Sequence, residues 1–135
     1  MRLFVEDESM SVDVGTGSIW YSIFSTAMIR LPEETRLRVP LGILFLKNAE
    51  CSADDAKETA KQMNLIRDAF AGLSPEEAVF DMHNINKPAP WHGKISPVVT
   101  SCANLYTTSD GKDLFSEVIR LLCYAGRKDL KIFAS

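Results

Sequence analysis

The chain is poor in the residues that build disulfide frameworks and metal sites. Its 135 residues include only three cysteines and two histidines. Cys51, Cys102 and Cys123 are far apart, with no Cys-x-x-Cys pair and no Cys/His cluster at zinc spacing. An odd number of isolated cysteines argues against a disulfide framework and indicates reduced thiols that are buried or unused. We therefore expect an intracellular protein without a metal ion or a cofactor.

Long apolar segments and strong charge are also missing. No stretch approaches the roughly 18 apolar residues of a membrane span, and acidic residues follow the short N-terminal apolar run too early for a signal peptide. The net charge is −3 and the pI about 5.4. This balance argues against nucleic-acid binding but permits a basic protein partner. The sequence predicts a soluble cytoplasmic protein without nucleic-acid or membrane partners and leaves the oligomeric state open.

The composition is that of an ordinary globular protein, with 46% hydrophobic and 24% charged residues. The sequence contains no internal repeat, low-complexity tract or linker. A chain of this length can bury a core of its own. We expect one domain over residues 1–135.

Apolar periodicity predicts helices in the first half of the chain. From Ala53 to Ala71, apolar residues recur every three or four positions, with Ser52 as a capping residue and Gly72 as a stop signal. A shorter helix is predicted from Leu41 to Lys47, because Pro40 before it is tolerated in a first helical turn.

A second long helix is predicted near the C-terminus, with Ser109 or Asp110 as its cap and Gly126 as its stop. The apolar positions that define it are Leu114, Phe115, Val118, Ile119, Leu121, Leu122 and Ala125.

Strands are predicted from aromatic and β-branched content. In the first part of the chain they are residues 3–5, a turn or weak strand over 9–17, and residues 18–24, which continue after a bend through 26–31. Later in the chain a single turn at 74–77 leads into a strand at 78–82, and two further strands are predicted at 105–107 and 131–134. Residues 84–101 are predicted to be a long irregular loop, which is often functional. Together these elements predict an α+β domain: a small, mainly antiparallel sheet with two major helices on one face.

Two groups of residues are candidates for function. His83, His92 and Lys94 could form a ribonuclease-like acid/base pair with a cationic third member, although their spacing does not require it. Trp91, in a loop rich in proline, could anchor a binding partner or fix the loop to the core. Trp20 lies in an apolar segment and is predicted to be a core residue.

Three short runs, in order, resemble the immunity protein 70 family of bacterial polymorphic toxin systems: Gly17–Ser25, Pro90–Pro97 and Thr108–Phe115. Residues 54–70 resemble the family's central helix and residues 79–81 the strand after it. The segments before Gly15, at 35–40 and at 87–90 depart from the pattern. The motif residues suit turns and core positions: Gly17, Trp20, Pro90, Trp91, Pro97, Ser109, Asp110, Gly111, Leu114 and Phe115.

The resemblance implies an immunity protein, not an enzyme, that binds and neutralises the C-terminal domain of a cognate toxin. Such systems include contact-dependent growth inhibition, and their toxins are often nucleases, including ones that cleave tRNA. The toxin-binding candidates are Trp91, His92, Asp81, Glu76 and Glu77, as acidic and aromatic side chains near turns. Two alternatives stay open: a small ribonuclease that uses His83, His92 and Lys94, and an adaptor subunit that binds through the Trp91 region.

Overall fold

Five helices and three short strands make up the fold, and the computed structural model describes residues 1–135. In chain order they are β1 (Arg2–Val5), β2 (Ser11–Asp13), α1 (Gly17–Arg30), α2 (Glu33–Leu37), α3 (Pro40–Asn48), α4 (Ala56–Phe70), α5 (Leu114–Lys128) and β3 (Ile132–Ala134). A single 3-10 turn covers Pro75–Glu77. The predicted α+β class is confirmed.

The sheet is antiparallel, with the strand order β2-β1-β3. Leu3 lies opposite Val12 on one side and Ala134 on the other. Because side chains alternate between the two faces of a strand, Leu3, Val5 and Val12 are buried on one face while Phe4 is half-buried on the other. The strands predicted at 3–5 and 131–134 are confirmed, and the 9–17 segment contains the weak second strand.

α4 and α5 form the centre of the helical layer, and α5 also contacts β1 and β2. The rings of Phe70 and Phe115 meet edge to face, 5.5 Å apart. α4 lies within the predicted helix but begins after a turn in which Ser52 Oγ accepts a hydrogen bond from the Asp55 N–H.

Both predicted ends of α5 are wrong. Asp113, not Ser109 or Asp110, caps the helix, because residues 108–112 form a tight turn with Gly111 at φ +83°. The helix also continues past Gly126 to Lys128, and its C-cap residue Asp129 adopts a left-handed conformation. Gly126 instead allows close packing, since a Cβ there would lie 2.6 Å from Lys57 Cγ on α4.

The strand predicted over 18–24, with its continuation over 26–31, is also wrong, because this segment is α1. Thr16 Oγ1 caps the helix by accepting a hydrogen bond from the Ile19 N–H. Trp20, Ile23 and Ala27, three and four residues apart, are buried in the core. The fold therefore has three long helices rather than the two predicted.

The later strand predictions are wrong as well. Residues 78–82 have no strand pairing, and of residues 105–107 only Thr107 forms an isolated bridge, to Asp113. The helix predicted at 41–47 is confirmed as α3, the single turn at 74–77 is confirmed as the 3-10 turn, and residues 84–101 are irregular as predicted.

The core is one continuous cluster of 28 buried hydrophobic residues contributed by all the long helices and the inner face of the sheet. Trp20 belongs to it, as predicted, and its ring packs edge-on against Phe45 at 5.5 Å. None of the helices combines the length and apolar character needed to cross a membrane.

Candidate functional site

The candidate binding surface is formed by the irregular segment 84–101, here called the Trp91 loop. Its first half, with Pro75, Glu76 and Ala78, lines a cavity of about 540 Å³. The loop side chains in that lining include Ile85, Lys87, Trp91 and His92. Concave surfaces with apolar walls and a few polar groups are the usual form of binding sites.

Hydroxyl groups of α1 hold the chain that leads into the loop. Val79 donates its N–H to Thr26 Oγ1 at 2.9 Å and accepts a hydrogen bond from Ser22 Oγ at 2.8 Å. Met82 donates its N–H to Ser25 Oγ at 3.1 Å. Ser22, Ser25 and Thr26 are all fully buried, so a polar face of α1 replaces the missing strand partner of residues 78–82.

The middle of the loop is fixed by Trp91. Its ring meets Phe80 edge to face at 6.1 Å and Tyr106 edge to face at 5.7 Å. Such arrangements are the favourable ones for aromatic rings. Trp91 is half-buried and also lines a second cavity of about 400 Å³, beside the start of α1. The ring therefore fixes the loop to the core, which is one of the two roles weighed from the sequence, and part of it remains exposed.

The end of the loop is held by Asn104. Its side-chain oxygen accepts hydrogen bonds from the N–H groups of Thr100 and Ser101, at 3.0 and 3.2 Å. Its amide nitrogen donates to the Val98 carbonyl at 3.1 Å. With both ends and the centre anchored, the loop is a preformed surface, which lowers the entropy cost of binding.

Three of the five toxin-binding candidates come together. Glu76, Trp91 and His92 line the same cavity. The other two carboxylates have partners inside the chain. Glu77 Oε1 accepts hydrogen bonds from the N–H and hydroxyl of Ser74, and Asp81 Oδ1 accepts one from the N–H of His83. These bonds stabilise the turns that lead into the loop.

The acid/base candidates are not gathered in the same way. His92 lines the cavity, whereas His83 and Lys94 do not. All three side chains are exposed. No three His, Cys, Asp or Glu side chains are grouped in a way that could hold a metal ion.

Buried groups near the loop are held in their neutral forms. Burial raises the pKa of Tyr106 to about 12, against the opposing effect of its hydrogen bonds with Ser22 and Thr26. Burial, with a smaller contribution from the negative charge of Glu77, raises the pKa of Cys102 to about 12. A nucleophilic cysteine needs a lowered thiol pKa, so Cys102 is a packing residue.

A third concave region, separate from the two cavities that Trp91 lines, lies between β2 and the start of α5 and forms a groove of about 340 Å³. Lys112 Nζ lies 3.5 Å from Asp110 Oδ2 and 3.8 Å from Glu117 Oε1, and Arg120 approaches Glu117 at 3.6 Å. A hydrogen bond from the Thr108 hydroxyl lowers the pKa of Asp110. The charges here are largely compensated within the groove.

The motif residues divide between turns and core. Leu114 and Phe115 are fully buried, and Trp20 is 4% exposed. Gly17 begins α1, and Ser109 donates its N–H to the Asp13 carbonyl. The remaining motif positions lie in the Trp91 loop or the turn before α5: Pro90, Trp91, Pro97, Asp110 and Gly111.

Two features of the site were missed from the sequence. The hydroxyl face of α1 was hidden by the strand prediction, although Ser22, Ser25 and Thr26 have helical spacing. The charge of the loop was also overlooked: residues 82–109 contain no Asp or Glu. Counting acids by segment would have found that signal.

The fold and this surface define a small α+β protein with one preformed, partly apolar loop next to an open cavity. The family model of immunity protein 70 matches residues 5–133, which is nearly the whole chain. The chain therefore belongs to the immunity protein 70 family, as the sequence motifs indicated. Comparison with curated proteins and with solved structures finds no match to either. Membership supports an immunity role, in which the protein binds a cognate toxin protein.

Proposed function

We propose that this protein neutralises the C-terminal nuclease domain of a toxin from a contact-dependent growth inhibition system, by direct binding in the cytoplasm and without catalysis of its own. The single observation that carries the proposal is the family match over residues 5–133. The net charge of −3 is compatible with a nuclease partner, whose substrate-binding surface is basic.

The Trp91 loop is the proposed toxin-binding surface. Trp91 is partly exposed and lines the cavity. Tryptophan is enriched among the residues that dominate interface energies. The proposed contacts around it are Glu76 and His92, which share the cavity lining. Glu77 and Asp81 support the surface by their turn hydrogen bonds and contact the toxin at its rim.

The experiment is co-expression with the toxin domain encoded by the neighbouring gene. We expect a stoichiometric complex on co-purification and rescue of growth when the toxin domain is induced. A toxin domain of the same reaction class from an unrelated gene pair is the matched control, because a pair-specific inhibitor should leave it active.

Two assays then separate binding from chemistry. The purified chain should inhibit cleavage of total RNA or plasmid DNA by the toxin domain and should cleave neither substrate alone. Replacing His83 with Gln should leave growth rescue intact, because the proposal gives this side chain no contact with the toxin, whereas a His83/His92 acid/base pair would need it. Absence of a complex and of rescue, with both proteins folded, would contradict the proposal.

A further inference from the structure

Charge is distributed unevenly between the Trp91 loop and the rest of the chain. From residue 82 to residue 109 there is no Asp or Glu, so all 18 acidic residues lie elsewhere. The same stretch carries Lys87, Lys94 and both histidines of the chain. The charge that this stretch itself supplies is therefore all positive, on a protein whose net charge is −3.

The lysines of the loop have no carboxylate partners. The ion pairs of the protein involve other basic residues, and neither Lys87 nor Lys94 takes part in one. Lys87 Nζ instead lies 5.5 Å above the ring of Phe80, which places the charge at the edge of the cavity. Glu76 is the one carboxylate in the cavity lining.

Apolar side chains accompany this charge. Ile85, which lines the cavity beside Trp91, is 58% exposed, and Val98 at the other end of the loop is 78% exposed. Contiguous apolar surface is typical of an interaction site, and Ile85 and Trp91 line the same cavity. The cavity thus offers an apolar wall with an unpaired cation at its edge.

We infer that the Trp91 loop binds a segment of the toxin domain in which a carboxylate lies next to an apolar side chain. The inference rests on the proposed function and specifies its contact. The apolar side chain enters the cavity against Trp91 and Ile85, while the carboxylate pairs with Lys87. Opposite charges across an interface fix its register and speed up association.

The sign of this charge decides where on a nuclease the protein sits. A cleft that binds nucleic acid is basic and would repel a basic loop. The loop therefore contacts the toxin beside its cleft, on an acidic and apolar patch, and does not imitate the phosphates of the substrate.

The test is the dissociation constant of the full chain for a catalytically inactive toxin domain, measured by calorimetry at two salt concentrations. Lys87→Glu and Lys94→Glu should each weaken binding about tenfold and should reduce the salt dependence. Lys47→Glu on α3 is the matched control, because Lys47 is also exposed and takes part in no ion pair, and it should change affinity less than about twofold. Ile85→Ser should weaken binding about tenfold without affecting the fold, since Ile85 is exposed.

The outcomes separate the two proposals. If the wild-type chain binds the toxin domain but the lysine reversals leave the affinity unchanged, the inference is wrong and the immunity function stands. Tighter binding by the reversals would also overturn it, because that result identifies a basic toxin surface. If the wild-type chain does not bind, the proposed function fails and the inference fails with it.

Discussion

Replacing Thr26 with valine tests whether the hydroxyl face of α1 holds the base of the Trp91 loop. Valine has nearly the shape of threonine, so the substitution removes the hydroxyl without opening a cavity. Thr26 Oγ1 accepts the Val79 N–H at 2.9 Å and lies 3.1 Å from the Tyr106 hydroxyl. Both Thr26 and Val79 are buried, at 0% and 2% exposure, so water cannot replace the lost acceptor.

The magnitude follows from which groups lose all their partners. In Thr26→Val the Tyr106 hydroxyl still forms a hydrogen bond with Ser22 Oγ, at 2.9 Å. The Val79 carbonyl still accepts a hydrogen bond from Ser22 Oγ, at 2.8 Å. Only the Val79 N–H is left unsatisfied, and a buried unsatisfied donor costs about 1–3 kcal/mol. We expect Thr26→Val to lower the free energy of unfolding by about 2 kcal/mol and the Tm by roughly 6–10 °C.

Chemical denaturation measures the loss of stability, and hydrogen exchange locates it. The amides of Val79 and Met82 should exchange faster in Thr26→Val, while those of α4 and α5 change only with global stability. Thr107→Val is the matched control, because Thr107 is exposed and its hydroxyl has no partner. If Thr26→Val lowers the free energy of unfolding by less than about 0.5 kcal/mol, as little as the control does, then the α1 hydroxyls do not hold the base of the Trp91 loop.

Four further predictions follow from the packing, titration and exposure of individual groups. Gly42→Ala should destabilise the protein by about 1 kcal/mol, because its Cβ would lie 2.7 Å from the buried Ile66 Cδ1. Denaturant unfolding should show Gly126→Ala as destabilising too, since its Cβ would lie 2.6 Å from Lys57 Cγ and 3.3 Å from the Lys57 backbone nitrogen on α4. As pH rises from 10 to 12, Tyr106 should account for a loss of stability of up to about 3 kcal/mol, because the unfolded chain loses the Tyr106 proton first. Tyr106→Phe should remove this share and leave the loss that comes from Cys102, whose pKa burial also raises. Maleimide should label the exposed Cys123 in the native state and leave the other two thiols unmodified until unfolding.

Local signals were enough where one face of an element meets the core and the other meets solvent. α4 shows this, since its apolar residues recur at helical spacing and its charged residues face outward. The sheet also has a single buried face, and the predicted positions of β1 and β3 agree with the structure for the same reason. The irregular segment 84–101 was also predictable, because prolines there remove backbone donors that a strand or helix needs.

α1 could not be predicted because it is buried on two sides. Trp20 and Ile23 face the core, while Ser22 and Thr26 are buried against residues 78–82 and Tyr106. With apolar and hydroxyl residues both inside, the chain shows no contrast between a wet face and a dry one. Aromatic and β-branched content then favours a strand, and tertiary packing overrides that propensity.

The candidate site was predictable in part. Trp91 stood out because a tryptophan within a proline-rich loop has few local partners. Its grouping with Glu76 and Ile85 in one cavity depends on how the 3-10 turn and the loop meet in space. The hydrogen bonds that commit Glu77 and Asp81 to turns were equally invisible, because side-chain partners are chosen by geometry.

The sequence by itself determined the α+β class, the two most amphipathic helices and the family. Those properties depend on periodicity and on ordered short motifs, which are local. Only the tertiary structure decided that residues 17–30 form a helix and that its buried hydroxyls hold the entry of the Trp91 loop. It also placed Lys87 at the edge of the cavity. These features arise from contacts between residues that are distant in the chain. No local pattern encodes which distant groups will form those hydrogen bonds and packing contacts.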